Sequence, residues 1–370
     1  MSNYTKIALT GGPNGGKSSS LASIAEHLQE RGHKIFIVPE AATILLAAGI
    51  TPKQVGGLKF QEMVLDTIVH LEGLADIAAE AIYKQTGKKP IIICDRGVMD
   101  GIAYCSRDEY LKILKSRGLN SQTARDERYD AVIHMITSPE AHYSNATNQH
   151  RSETYAQAVA LDKRTRESWV GHPHFKIIDN STDFPTKLKR VNEIVCNVLG
   201  EPIPLEAEKK LLVEIPSLAD LEKEVGHIED SLILQDYMLD KGARVRKRTT
   251  EGSTIYTHTV KGPQISAGVR PEEERIISKE EYNQLLKKKD PEKGTIIKTR
   301  KCFVYENHQF ELDVYEQPDG LTVLEIEVSN IDEKIELPKS ILVIKDVTTD
   351  ESYSNNALAS RVYHDNTPSL

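Results

Sequence analysis

The chain has 370 residues, of which 39% are hydrophobic and 28% charged, and its formal net charge is −8. That length suits two ordinary domains, and the composition is that of a globular chain rather than a disordered or fibrous one. The negative balance excludes a whole-molecule attraction to nucleic acid, so any polyanion must be held by cations gathered locally.

No apolar run approaches the roughly 20 residues that span a bilayer. The opening Met1-Ser2-Asn3-Tyr4-Thr5-Lys6 lacks the layout of a signal peptide. Cys94, Cys105, Cys196 and Cys302 show neither metal-ligand spacing nor a disulfide rhythm. Reduced thiols in a cytoplasmic protein are expected.

Lys6-Ile7-Ala8-Leu9-Thr10 predicts a strand, and the apolar spacing over 17–31 predicts a helix behind it. Between them stands Gly11-Gly12-Pro13-Asn14-Gly15-Gly16-Lys17-Ser18, followed by Ser19, which fits G-x-x-x-x-G-K-[ST]. A strand before and a helix after are the context this phosphate loop needs. Glycines let backbone N–H groups curl toward phosphate oxygens, and the helix N-terminus favours the anion. Lys17 is placed to reach the β- and γ-phosphates and Ser18 to bind Mg²⁺. The competing reading is a glycine turn without a ligand.

Lys34-Ile35-Phe36-Ile37-Val38 is the second apolar run. It leads into Pro39-Glu40-Ala41-Ala42, where Glu40 is either a base for an attacking hydroxyl or an acid at a helix entry. A helix is predicted over 60–84, then a third strand at Pro90-Ile91-Ile92-Ile93-Cys94. Asp95-Arg96-Gly97 follows it. An acid at the C-terminal edge of a parallel sheet suits Mg²⁺, and Arg96 a phosphate or its acceptor; the alternative is a plain turn.

Ala131-Val132-Ile133-His134-Met135-Ile136 and Phe175-Lys176-Ile177-Ile178 supply two more strands. Between them, His150-Arg151-Ser152-Glu153-Thr154 precedes a charged helix with Arg164 and Arg166. Arginines there either cover a phosphate chain, Arg151 first among them, or form a solvated face. Asp179-Asn180-Ser181, at the end of the last strand, is a candidate base-contacting loop. These runs, apolar on both faces, predict an α/β domain over 1–199 with a parallel sheet between helices. No N-K-x-D-type base reader stands in the sequence, so the nucleotide is ATP or GTP.

Gly200-Glu201-Pro202-Ile203-Pro204 reads as a linker, 200–204. From Leu205 the pattern turns to period two, predicting antiparallel hairpins over 205–362 and a tail at 363–370. Charges keep that beat in Glu206, Glu208 and Lys210; in Arg244, Arg246 and Arg248; and in Glu272 and Glu274. Lys298 and Arg300, Glu311 and Asp313, and Glu325 and Glu327 continue it. Pointing outward, they make an ordinary charged sheet; pointing inward, they line a hollow. Two like charges about 4 Å apart repel by about 1 kcal/mol in water and about 4 at an effective dielectric of 20. Inward cations therefore need a polyanion or facing carboxylates. Arg and Lys take phosphate oxygens, and Glu and Asp hold Mg²⁺ or Mn²⁺.

The first half resembles the NadR and TRPL-translocation-defect branch of P-loop proteins, through the phosphate loop, Pro39-Glu40-Ala41-Ala42 and Asp95-Arg96-Gly97. The resemblance gives Asp95 and Arg96 kinase-like roles. The second half resembles the CYTH, or triphosphate tunnel metalloenzyme, superfamily. Glu206-Ala207-Glu208-Lys209-Lys210 fills E-x-E-x-K, and Arg244-x-Arg246, Lys261, Lys298-Thr299-Arg300, Glu311-Leu312-Asp313 and Glu325-Ile326-Glu327 follow in order. It implies an eight-stranded antiparallel tunnel. Glu206 and Glu208 would be catalytic and, with Asp313, Glu325 and Glu327, would ligate metal. Lys210, Arg244, Arg246, Lys261, Lys298 and Arg300 would bind triphosphate.

The pairing of the two halves resembles the TRPL translocation defect proteins. That implies GTP and phosphorylated head-group binding, with peripheral contact to membrane lipid. Three functions are expected in turn: hydrolysis of tripolyphosphate or a nucleoside triphosphate, a GTP- and phosphoinositide-binding trafficking regulator, and a small-molecule kinase acting on a nucleoside or riboside.

Overall fold

The computed structural model describes residues 3–143, 153–201, 205–240, 242–262, 269–328 and 331–366, with side chains at all of these except 205–207, 269–273 and 363–366. The chain divides into two compact units, Ser2–Glu201 and Pro202–Leu370. Among the described residues, no helix is long and apolar enough to cross a membrane.

The first unit alternates strand and helix: β1 (Thr5–Gly11), α1 (Lys17–Glu30), β2 (Ile35–Val38), α2 (Ala41–Ala47), α3 (Pro52–Val55), α4 (Gly57–Thr86) and β3 (Ile91–Asp95). It continues through α5 (Arg107–Ser116), α6 (Ser121–Arg125), β4 (Ala131–Met135), α7 (Tyr155–Glu167), β5 (Phe175–Ile178) and α8 (Phe184–Leu199). The sheet order is β2-β3-β1-β4-β5, all parallel. Ile7, Leu9, Ile93 and Ile133 on one face pack against Ile24 and Leu28 of α1 and Val191 and Val195 of α8. The parallel α/β fold expected from two-sided apolar runs is the fold observed.

Helix ends follow local chemistry. Ser106 and Glu109 form a capping box on α5, and Thr154 and Gln157 form one on α7. Asp183 accepts the Thr186 N–H at the start of α8. Such caps satisfy N–H groups that have no partner inside the helix.

The second unit contains β6 (Leu205–Val213), α9 (Leu218–Val225), β7 (Ile228–Tyr237), β8 (Ala243–Thr250), β9 (Ser253–Lys261), β10 (Val269–Ile277) and α10 (Lys279–Leu286). It ends with β11 (Ile296–Tyr305), β12 (His308–Gln317), β13 (Thr322–Val328), β14 (Val343–Asp346) and α11 (Asn355–Asn366). Strands β6 to β13 run in the order β10-β9-β8-β7-β11-β12-β13-β6, and β10 returns to pair with β6, which closes an eight-stranded ring. Beyond the sequence expectation, β14 joins the free edge of β6 at residues 211–213.

Period-two alternation sorts the two faces of this ring. Phe303, Phe310, Leu312, Leu324 and Ile326 form an apolar layer with Leu221 and Val225 of α9. Asp313 and Glu325, one residue on from Leu312 and Leu324, therefore point the other way, into the ring. Tyr237, Ile296, Tyr315 and Val323 pack with Leu358, Ala359 and Val362 of α11 in a separate cluster. Helix α11 runs across the 362/363 boundary read from the sequence.

Candidate functional sites

Residues 12–16 carry the chain from β1 into α1. Gly11 has φ 137°, and a Cβ there would lie 2.1 Å from the Met135 carbonyl oxygen. Gly16 has φ 95°. Only glycine meets both demands without strain. Pro13 and Gly15 are buried, and Asn14 turns the loop with φ 57°. Lys17 is buried and its Nζ donates to the Gly11 and Gly12 carbonyls, each at 2.8 Å. Burial lowers its pKa to about 7; Arg96 adds to the effect, and Glu40, Asp95 and Asp100 oppose it. Ser18 and Ser19 stand exposed in the first turn of α1, open to an anion and its metal.

Asp162, on α7, braces the loop. It accepts the N–H of Gly12 at 2.8 Å and of Thr137 at 3.1 Å, and lies 3.2 Å from His134 Nε2. Burial alone would raise its pKa, but His134 and the two N–H donors pull it down to about 2 from 3.8. A depressed carboxyl stabilises the fold above its unfolded pKa and loses that contribution as pH falls through the folded value. The first unit should thus lose about 2 kcal/mol between roughly pH 4 and pH 2 through this group. Asp162→Asn should flatten that slope in acid denaturation curves.

Asp95 closes β3, and Arg96 follows in the left-handed region with φ 71°. Arg96 Nε donates to Glu40 Oε1 at 2.6 Å, and its Nη1 to Asp100 Oδ2 and the Gly11 carbonyl, both at 3.2 Å. Thr43 Oγ1 donates to Glu40 Oε2 at 2.6 Å. Burial would raise the Glu40 pKa, yet Arg96, Thr43 and Lys17 hold it at about 2. Asp100 also accepts the Thr10 hydroxyl and Trp169 Nε1, each at 2.6 Å. Asp95 Oδ1 is buried with no hydrogen-bond partner among the described residues, and burial, then Glu40, raises its pKa. An orphaned carboxylate oxygen at this sheet edge fits a Mg²⁺ ligand, with the exposed Ser18 hydroxyl the other candidate.

The ring interior is charged and internally paired. Lys298 and Asp313 are 0% exposed and form an ion pair. Arg300 donates to Asp313 Oδ1 and Oδ2 at 2.7 Å each, to Glu325 Oε2 at 2.7 Å, and to Glu311. Lys210 lies 2.9 Å from Glu208 Oε2 and 2.5 Å from Glu325 Oε1. Burial would lower the Lys210 pKa, but Glu208 and Glu325 raise it. Burial would raise that of Glu325, but Lys210, Lys298 and Arg300 carry it well below the usual carboxylate range. Arg246 reaches Gln235 Oε1 at 3.4 Å and Glu274 at 3.9 Å. Arg244 is buried on the same face of β8 as Arg246, and Lys261 ends β9 opposite Glu272.

Acids face acids across this wall. Glu311 on β12 is in register with Glu325 on β13, and Glu327 on β13 with Glu208 on β6. Like charges directly opposite each other destabilise a sheet unless a cation joins them. Here Arg300 joins Glu311 to Glu325, and Lys210 joins Glu208 to Glu325; among the described residues no three ligating side chains stand ready-made for a metal. The carboxylate oxygens are nonetheless the donor set that Mg²⁺ or Mn²⁺ prefers.

A family model described as an AAA domain matches residues 6–187, and one described as a CYTH domain matches residues 204–363. The chain is an AAA domain joined to a CYTH domain. No curated protein matches it. It is similar to solved structures of the hypothetical protein NE1496 (26% identity, 42% of this chain and 97% of that one, TM-score 0.29). Others are the inorganic triphosphatase NE1496 (24%, 42% and 94%, TM-score 0.28) and PH1819 protein from Pyrococcus horikoshii OT3 (22%, 35% and 80%, TM-score 0.29). At these TM-scores the likeness carries no argument about chemistry.

In the AAA domain, the loop residues and the pair Glu40 and Arg96 come together. Arg151 lies outside the described residues. Asp179, Asn180 and Ser181 are engaged with Arg190, Lys187 and the Thr137 carbonyl. In the CYTH domain, Lys210, Lys298, Arg300, Asp313 and Glu325 meet as one cluster, while Glu327 is exposed. Glu206 lies on β6 opposite Arg270, and its side chain is outside the described set. Sequence reasoning did not single out Asp100 or Asp162. Asp100 stands four residues after Arg96, an ion-pair spacing on a helical turn; for Asp162 no local signal exists.

Proposed function

We propose that the CYTH domain binds and hydrolyses a triphosphate, either tripolyphosphate or a nucleoside triphosphate, and that the AAA domain binds ATP or GTP. One observation carries the first claim: the ring encloses Lys298, Arg300, Asp313 and Glu325, all at least nine-tenths buried. A purely structural interior would be at least as stable with apolar side chains of similar volume. Charges of both signs in one hollow suit a ligand with phosphate oxygens and a metal. When bound, Mg²⁺ or Mn²⁺ would polarise a phosphoryl oxygen, and Glu208, Glu311 and Glu325 are the residues that would hold it. Lys210, Arg300 and Lys298 would turn from their carboxylates to phosphate oxygens, which fixes the chain for attack by water.

Phosphate release from tripolyphosphate with Mg²⁺ or Mn²⁺ tests this. Glu325→Gln should lower the rate by about a hundredfold or more, since one carboxylate serves both the cations and the metal. Lys17→Ala should abolish nucleotide binding at the loop but leave that rate intact. Binding of a phosphorylated head group with no release of phosphate would instead favour the trafficking-regulator reading.

A further inference from the structure

Lys298 is held inside the ring from two sides. Its Nζ pairs with Asp313, and it also lies 3.5 Å from the Tyr315 hydroxyl and 5.1 Å from the centre of that ring. Tyr315 stands directly opposite Lys298 across the ladder of β11 and β12, so register fixes the contact. An ammonium over an aromatic face is attracted by the ring, most strongly where water is excluded, and both side chains are buried.

The Tyr315 hydroxyl donates in turn to Asn355 Oδ1 at 2.7 Å, and Asn355 is the first residue of α11. With its one proton given to Asn355, the phenol oxygen is left as an acceptor, which is what an ammonium needs. The donors therefore run one way, from Lys298 through Tyr315 to α11, and each bond polarises the next. Leu358, Ala359 and Val362 of α11 pack in the same cluster as Tyr315. Tyr237, also in that cluster, makes a comparable tie. Arg244 opposes the rise that burial gives the Tyr237 pKa, and Gln235 Nε2 donates to the Tyr237 hydroxyl at 2.7 Å. Neutral groups next to α11 thus hold cations that carboxylates do not hold alone.

The chemistry of exchange gives the neutral anchor a purpose. A lysine carries its charge on a flexible four-carbon stem. As Lys298 leaves Asp313 for a phosphate oxygen, a second carboxylate would compete with the anion for it, whereas a phenol orients the ammonium without cancelling its charge. We propose that Tyr315 is a positioning residue for Lys298, and that through Asn355 it carries the occupancy of the ring to the first turn of α11. The inference rests on triphosphate binding in the ring, as proposed above.

The test uses the full chain. Affinity is read by calorimetric titration with tripolyphosphate under chelation of metal, and kcat by phosphate release with Mg²⁺ or Mn²⁺. Tyr315→Phe keeps the aromatic face and removes the oxygen. It should weaken binding by about tenfold, the scale of one hydrogen bond to a charged group, and change kcat far less. Asn355→Ala should act in the same direction, and the double variant should be no worse than the worse single one, as expected of residues in one chain of contacts. Leu358→Ala, which loosens the packing of α11 alone, should lower the urea midpoint and leave affinity unchanged. Amide exchange over residues 355–362 should slow when tripolyphosphate binds the parent and should not respond in Tyr315→Phe. Unchanged affinity in Tyr315→Phe, additive losses in the double variant, or an equal loss of affinity in Leu358→Ala overturns the inference. If Tyr315→Phe fails to fold by its urea curve, Asn355→Ala and Leu358→Ala still decide. A parent chain that binds no tripolyphosphate would overturn the ring reading first and this inference with it; a parent that binds, with Tyr315→Phe binding equally well, overturns this inference alone.

Discussion

Asp313→Ala is expected to destabilise the CYTH domain by about 3–5 kcal/mol. The side chain is wholly buried and joins Lys298 to Arg300. Burial lowers the Lys298 pKa, and Asp313 is the strongest influence opposing that shift. Its removal leaves two buried cations to share Glu325 and Glu311, and an uncompensated buried charge is far more costly than a lost surface pair. Asp313→Asn should cost nearly as much, which separates loss of charge from loss of volume. Excess tripolyphosphate should raise the urea midpoint of either variant more than that of the parent, since an anion among the cations replaces what was removed. Urea unfolding of the full chain, with and without tripolyphosphate, measures both. An unchanged midpoint would mean that these charges do not hold one another.

Asp100→Ala should disable nucleotide handling in the AAA domain and destabilise that unit by about 3 kcal/mol or more. One carboxylate satisfies Thr10 beneath the loop, Trp169 and the Arg96 guanidinium. With alanine there, a buried indole N–H and a buried hydroxyl lose their acceptor, and Arg96 keeps only Glu40 and the Gly11 carbonyl. Asp100→Asn retains an acceptor oxygen and should fall between parent and alanine variant. Thermal melting and titration with a fluorescent nucleotide read the two effects separately. Wild-type nucleotide affinity in Asp100→Ala would show that Arg96 needs no second carboxylate.

The parts legible in the sequence are those fixed by near neighbours. The loop between β1 and α1 needs left-handed glycines beside Lys17, and that requirement is written in consecutive residues. The charged strands were legible because period two puts Lys298 beside Arg300 and Glu325 beside Glu327. Pattern alone left open whether those faces turned inward; α9 decides it by covering the opposite, apolar face. Strand β7 was not singled out: Ser231 and Gln235 interrupt its buried face, so its alternation is faint. The partnership of Asp162 with Gly12 spans 150 positions, and that of Tyr315 with Asn355 spans 40. Such contacts exist only once the chain has folded, and no window of sequence displays them.

Among the described residues, the ring of the CYTH domain closes where β10 meets β6, and Pro271 stands there in register with Leu205. A proline has no N–H to give to either neighbouring strand, so this closing strand carries one donor fewer beside Glu206. Between β11 and β12 the wall is cross-linked by side chains as well as backbone, since Arg300 grips Asp313 and Glu311 across the ladder.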